Sequence, residues 1–118
     1  MITLYGISGC DTMRKTRRWL KDANIDYHFH DYRKEGLDPA LLRHWLTFMP
    51  WEALVNKRGT TWRALPEEQK NNLTPETAIP LILENPAMIK RPLLDLGEAP
   101  ILGFDPERYT TLFTKRTF

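Results

Sequence analysis

Cys10 is the residue of this chain whose type and placement most invite covalent chemistry. It follows the apolar stretch Ile2-Thr3-Leu4-Tyr5 and the loop Gly6-Ile7-Ser8-Gly9, and it stands directly before Asp11, where a basic helix is predicted to start. A free thiol titrates near 8.5, so roughly 3% of it is thiolate at neutral pH; a helix N-terminus or a nearby cation lowers that value. First-turn N–H groups point back at the position before the helix, and the helix dipole favours an anion there. Arg14 adds positive charge if its side chain folds back. Ser8 and Gly9 leave the backbone open to close approach by a ligand. The expectation is a small anion pocket with a nucleophile inside it.

Cys10 is also the chain's single cysteine. In a dithiol oxidoreductase a second cysteine lies three residues further on, one helical turn away. Here that position is Met13, and a thioether cannot attack a disulfide. Cys10-Asp11-Thr12-Met13 is therefore a monothiol arrangement, and any mixed disulfide on Cys10 must be resolved by an outside thiol.

Two basic groups further along are candidate partners of the thiol. Arg91 precedes Pro92 at the start of a predicted strand. Its guanidinium offers a planar fork of donors suited to an oxyanion or carboxylate, and a cis proline there would turn the preceding backbone edge toward a ligand. Asn56-Lys57-Arg58-Gly59-Thr60 forms a second basic cluster, from which Arg58 or Lys57 reaches Cys10 if the helical segment packs over the thiol. His28 and His30 share one strand face, but no third ligand is evident and no metal is expected. Arg14, Lys15, Arg17, Arg18 and Lys21 make a basic helix face, read as solvated, with an acidic protein such as a glutaredoxin as its candidate partner. Trp19, Trp45, Trp51 and Trp62 read as packing residues.

The elements that must position these groups follow from periodicity. Residues 2–5 read as a buried strand and residues 11–23 as a helix with Met13, Thr16, Trp19, Leu20 and Ala23 on one face, closed by Asn24. Residues 26–32 alternate as a second strand, which strand–helix–strand order makes parallel to the first. A charged loop over 33–37 leads to a helix capped by Asp38-Pro39 and ended by Pro50. Short helical pieces follow near 51–54 and 61–65. Thr74-Pro75 opens another helix, with Pro80 inside it as a kink. Residues 91–96 and 100–104 read as a hairpin turning at Gly97-Glu98, and Asp105-Pro106 caps a last helix. This order predicts an α/β, thioredoxin-like domain over 1–118: a four-stranded mixed sheet flanked by helices, with a helical insert at about 37–85. In such open sheets ligands gather at the carboxyl ends of the parallel strands, which is where Cys10 falls.

Composition narrows the classes. At 118 residues, 42% hydrophobic, the chain is long enough to bury a core without disulfides or a structural metal. A net charge of +2 gives no strong pull toward nucleic acid or an anionic membrane. No apolar run approaches the roughly 18 residues of a membrane span. With one unpaired thiol and no secretory leader, the expected location is cytoplasmic.

Three segments resemble the ArsC/Spx family: Gly6-Ile7-Ser8-Gly9-Cys10-Asp11-Thr12-Met13-Arg14-Lys15 with the strand before it, Asn56-Lys57-Arg58-Gly59-Thr60-Thr61-Trp62-Arg63, and Ile89-Lys90-Arg91-Pro92-Leu93-Leu94. They come in the family's order and spacing, and the branch they are most similar to is that of the YffB-type proteins. The resemblance implies a thioredoxin-like fold with an inserted helical subdomain; in the family's glutaredoxin-coupled arsenate reductases the cysteine attacks arsenate, glutathione attacks the adduct, and three arginines bind the oxyanion. Carried over by position, Cys10 matches the nucleophile and Arg91 the arginine before the proline. Arg58 matches the insert arginine approximately; aligning Ala53-Leu54 puts Asn56 there instead. The third arginine falls near Gly103-Phe104, where this chain has none, and Arg108 lies inside the last helix. The implied activity is that of a glutathione-dependent monothiol reductase, acting as a monomer. Glutathione would serve as co-substrate with no bound cofactor, and a glutaredoxin as partner. The alternatives are an Spx-like regulator that binds RNA polymerase, and an arsenate reductase.

Overall fold

Leu93 and Leu94 are neighbours in the chain, and in the computed structural model they are buried in two different cores on opposite faces of one sheet. The structure describes residues 2–115. Its elements are β1 (Thr3–Gly6), α1 (Asp11–Asp22), β2 (His28–Asp31), α2 (Tyr32–Glu35), α3 (Pro39–Trp45), α4 (Trp51–Leu54), α5 (Thr60–Ala64), α6 (Glu67–Lys70), α7 (Pro75–Glu84), a 3₁₀ turn (Pro86–Met88), β3 (Leu93–Asp95), β4 (Ile101–Leu102) and α8 (Pro106–Lys115). The sheet order is β2-β1-β3-β4, with β1 and β2 parallel and the other pairs antiparallel. This is the four-stranded mixed sheet flanked by helices that periodicity predicts.

One face carries Leu4, Leu94 and Ile101 and is covered by Met13 and Leu20 of α1 and Tyr109 of α8. The other carries Leu93 and is covered by the helical segment between the sheet halves: Leu42 and Trp45 of α3, Trp51 and Leu54 of α4, Ala78 and Ile82 of α7. Full burial of one such side chain is worth about 1.5–3 kcal/mol, so both layers hold the sheet. Trp45 is fully buried and keeps its indole N–H satisfied by donating to Asp95 Oδ2 at 3.1 Å.

The local differences from expectation have local causes. The second strand stops at Asp31 because that carboxylate accepts from the N–H groups of Arg33 and Lys34 and caps α2. The expected charged loop is therefore a helical turn, ended by Gly36 at φ 75°. The third helix ends at Trp45 rather than near Pro50, and its last residues relax into turns. In α7 the reciprocal Thr74–Thr77 capping box starts the helix, which continues through Pro80 to Glu84. The short α6 lacks an apolar stripe and gives no periodic signal.

Candidate functional site

Cys10 occupies the N-cap of α1 with extended backbone (φ −86°, ψ 134°), just past the carboxyl end of β1. The turn before it is set by Gly9, whose φ of 88° suits glycine and almost no other residue. The thiol is half-buried. Partial burial alone pushes its pKa up. The N–H groups of Met13 and Thr12, then the nearby Arg91 guanidinium, outweigh that and hold the thiol below its ordinary value. The sulfur closes no capping hydrogen bond of full geometry, so the backbone acts on it through oriented dipoles.

Arg91 is thus the cation that acts on Cys10. Its Nη1 donates to Ala87 O at 2.7 Å, which fixes the guanidinium at the junction into β3. The Arg91–Pro92 bond is cis, as expected, and Pro92 is buried, with its carbonyl accepting from Gly103 N at 2.9 Å. Arg14 lies elsewhere: it pairs with Asp11 and reaches Gly9 O at 3.4 Å, so its charge is spent on a carboxylate on the helix surface.

Ser8 has a different task from ligand contact. Its N–H and Oγ both donate to Asp31 Oδ2, at 3.2 and 3.0 Å. Asp31 is 5% exposed and joins the cysteine loop to the end of β2 and the start of α2. Asp31 carries no local signal in the sequence, because its partner lies 23 residues away. Neither does Tyr32, which is 2% exposed. Burial pushes the Tyr32 phenol up to about 12, against the pull of the Arg91 guanidinium. The hydroxyl makes no hydrogen bond of good geometry, so Arg91 lies near it without bonding it.

The basic loop of the helical segment does come to the Arg91 junction. Val55 and Ile89 form an isolated β-bridge, Asn56 N donates to Met88 O at 2.7 Å, and Lys90 N donates to Leu54 O at 2.9 Å. The result is a groove of about 600 Å³ lined by Glu52, Asn56, Lys57, Arg58, Lys90, Arg91 and Gly103, among others. Four cations and one carboxylate make it an anion-binding surface. Cys10 is not part of the groove's lining; Arg91 is the link between them. Asn56 shapes its own loop, since its Oδ1 accepts from Arg58 N at 3.1 Å. The Lys57 ammonium sits over the rings of Trp51 and Trp62, at 5.0 and 5.7 Å. The groove end where a third arginine would stand is formed by Leu102 and Gly103, without charge.

Met13, the residue at the second-cysteine position, is 1% exposed, and a Cβ on Gly6 would collide with its thioether. A separate apolar cavity of about 580 Å³ between α1 and α8 contains none of the predicted site residues. No described helix is long and apolar enough to cross a membrane.

A family model described as the ArsC family matches residues 5–112. An uncharacterized protein of Haemophilus influenzae is 46% identical over 96% of this chain and 99% of its own length. A solved structure named YFFB protein superposes with a TM-score of 0.88 at 45% identity, covering 94% of this chain and 97% of that one. The solution structure of an arsenate reductase (ArsC) related protein from Brucella melitensis gives a TM-score of 0.75 at 48% identity, with 95% and 93% covered. More distantly, the global transcriptional regulator Spx 1 of Lactococcus lactis is 27% identical over 91% of this chain and 84% of its own length.

Proposed function

This chain belongs to the ArsC family, and from that premise we propose that it is a cytoplasmic monothiol reductase that uses glutathione as co-substrate. The observation that carries the reading is the pairing of Cys10 at the α1 N-terminus with Arg91, while Met13 fills the second-thiol position. The Cys10 thiolate attacks one sulfur of an oxidised substrate, a Cys10–S–S–R bond forms, and the other sulfur leaves as a thiolate. A glutathione thiolate then attacks the sulfur that carries R, a G–S–S–R bond forms, and Cys10 leaves as the thiolate, so the oxidising equivalents depart as the mixed disulfide of glutathione and R. Arg91, with Arg58 and Lys90 along the groove, holds the carboxylates of glutathione or an anionic substrate. Pro92 sets the junction that presents Arg91.

Mass spectrometry after treatment with oxidised glutathione tests this. One glutathione per chain, on Cys10 and removed by reduced glutathione, is the expected result. An unmodified chain, or an adduct that reduced glutathione leaves in place, counts against the monothiol scheme.

Arsenate turnover is expected to be weak, because the uncharged Leu102–Gly103 end of the groove supplies no third guanidinium. A second reading, binding to RNA polymerase, is supported by the similarity to a global transcriptional regulator over most of the chain. Polymerase captured equally by the wild-type chain and Cys10→Ser would favour that reading over the enzyme.

A further inference from the structure

We propose that His28, His30 and Glu35 form a binding site for a divalent transition metal of the zinc class, on the open edge of the sheet. His28 and His30 sit two apart on β2 and therefore project from the same face of the strand. Among the described residues β2 is an edge strand that pairs with β1 alone, so this flank of the sheet is unpaired. No third ligand is visible in the sequence, because residues 33–37 read as a loop. The third ligand exists because Asp31 caps α2 and winds the next four residues into a turn, which brings Glu35 back over the strand. One ligand atom from each of the three residues then lies within 4.8 Å of the other two.

Two hydrogen bonds hold members of this cluster. Glu35 Oε2 accepts from Asp31 N at 3.1 Å, leaving Oε1 free. His30 Nε2 lies 2.7 Å from Gly36 O; a carbonyl only accepts, so Nε2 carries the proton and Nδ1 carries the lone pair. Ligating imidazoles and carboxylates commonly have such outer partners, which fix the tautomer and the ring direction. The His30 ring is further held by Tyr5, with centroids 4.9 Å apart. His28 and Glu35 are exposed and His30 half-buried, so an ion enters without the core opening. Two imidazoles and one carboxylate suit a borderline cation, and zinc takes three such ligands with a fourth, open position. A bound ion would tie β2 to α2. Between them lies Asp31, whose carboxylate holds Ser8 of the cysteine loop.

The test is zinc titration by calorimetry on the full chain in a Cys10→Ser background, which removes the thiol as a ligand. One zinc per chain is expected. His28→Ala removes an exposed ligand whose ring contact is with His30, and Glu35→Gln keeps the acceptor for Asp31 N; each should weaken binding at least about tenfold, the lower end of what loss of even an outer partner costs. Zinc should also raise the melting temperature of the parent chain and leave that of His28→Ala unchanged. No zinc uptake by the parent, or uptake that survives both substitutions, overturns the proposal.

Discussion

Arg91→Ala is expected to slow the reaction of Cys10 with oxidised glutathione by about 10- to 150-fold at neutral pH. The range comes from the roughly 1.5–3 kcal/mol that a hydrogen bond to a charged group contributes, at about 1.4 kcal/mol per factor of ten. Two effects add. The thiol loses the guanidinium that helps hold it below its ordinary pKa, and the anionic disulfide loses the cation that links Cys10 to the groove. They separate by choice of reagent. A neutral alkylating agent feels only the first, so its rate should fall less than that of the anionic disulfide. Arg91→Lys keeps the charge and loses the planar fork, and should lie between the two. The guanidinium's internal bond is to Ala87 O at a half-exposed position, so the alanine variant should fold normally by circular dichroism. Equal rates for wild type and Arg91→Ala with both reagents would remove Arg91 from the account.

Asp31→Ala is expected to cost more stability than any other substitution in the loops around Cys10. Its carboxylate takes hydrogen bonds from Ser8 N, Ser8 Oγ, Arg33 N and Lys34 N while 5% exposed. Loss of an N-cap costs about 1 kcal/mol, and each of the two hydrogen bonds from the exposed Ser8 contributes about 0.5–1.5 kcal/mol. A total of about 2–4 kcal/mol corresponds to a fall in melting temperature of roughly 10–20 °C. Asp31→Asn has one acceptor oxygen in place of two and should lose part of that. There is also a pH signature. Burial pushes the Asp31 carboxyl up, but the donors from Ser8, Arg33 and Lys34 outweigh it and hold it below the usual carboxylate range. At pH values between the native and unfolded pKa, the unfolded chain binds a proton that the native chain does not, so stability rises with pH there. The contribution is complete above the usual carboxylate pKa of about 3.9 and is lost as pH falls through the lower native value. Denaturant unfolding across acidic pH should show this limb in the wild-type chain and not in Asp31→Asn. The same acid dependence in both would mean that the Ser8 clamp contributes nothing to stability.

Cys10, Arg91 and Pro92 were legible because each is defined by its immediate neighbours: a glycine-bounded turn before a helix, and an arginine–proline step into a strand. The parallel β1–β2 pair, the closing hairpin and the helix-covered faces were legible for a similar reason, since alternation and helical period are local patterns; the placing of β1 beside β3 is not such a pattern. Asp31, Tyr32 and Glu35 were not. Asp31 acts on a loop 23 residues away, Tyr32 meets Arg91 across the fold, and Glu35 joins the histidines only once α2 has been wound. The basic loop shows the middle case. Its charges were plain, but its place beside Arg91 depends on the Val55–Ile89 bridge, which no periodicity announces. Arg14 shows the reverse error: nearness in sequence suggested a partner for the thiol, while its neighbour Asp11 is closer still and holds the guanidinium.

The start of α1 and the Arg91 guanidinium together hold the Cys10 thiol below its ordinary pKa. The most direct test of this is the rate of Cys10 alkylation by a neutral reagent, measured across pH on the intact chain, which has no other cysteine to confuse the signal. The account predicts a midpoint below the ordinary thiol value of about 8.5, moving upward in Arg91→Ala. A wild-type midpoint at or above that value would contradict it.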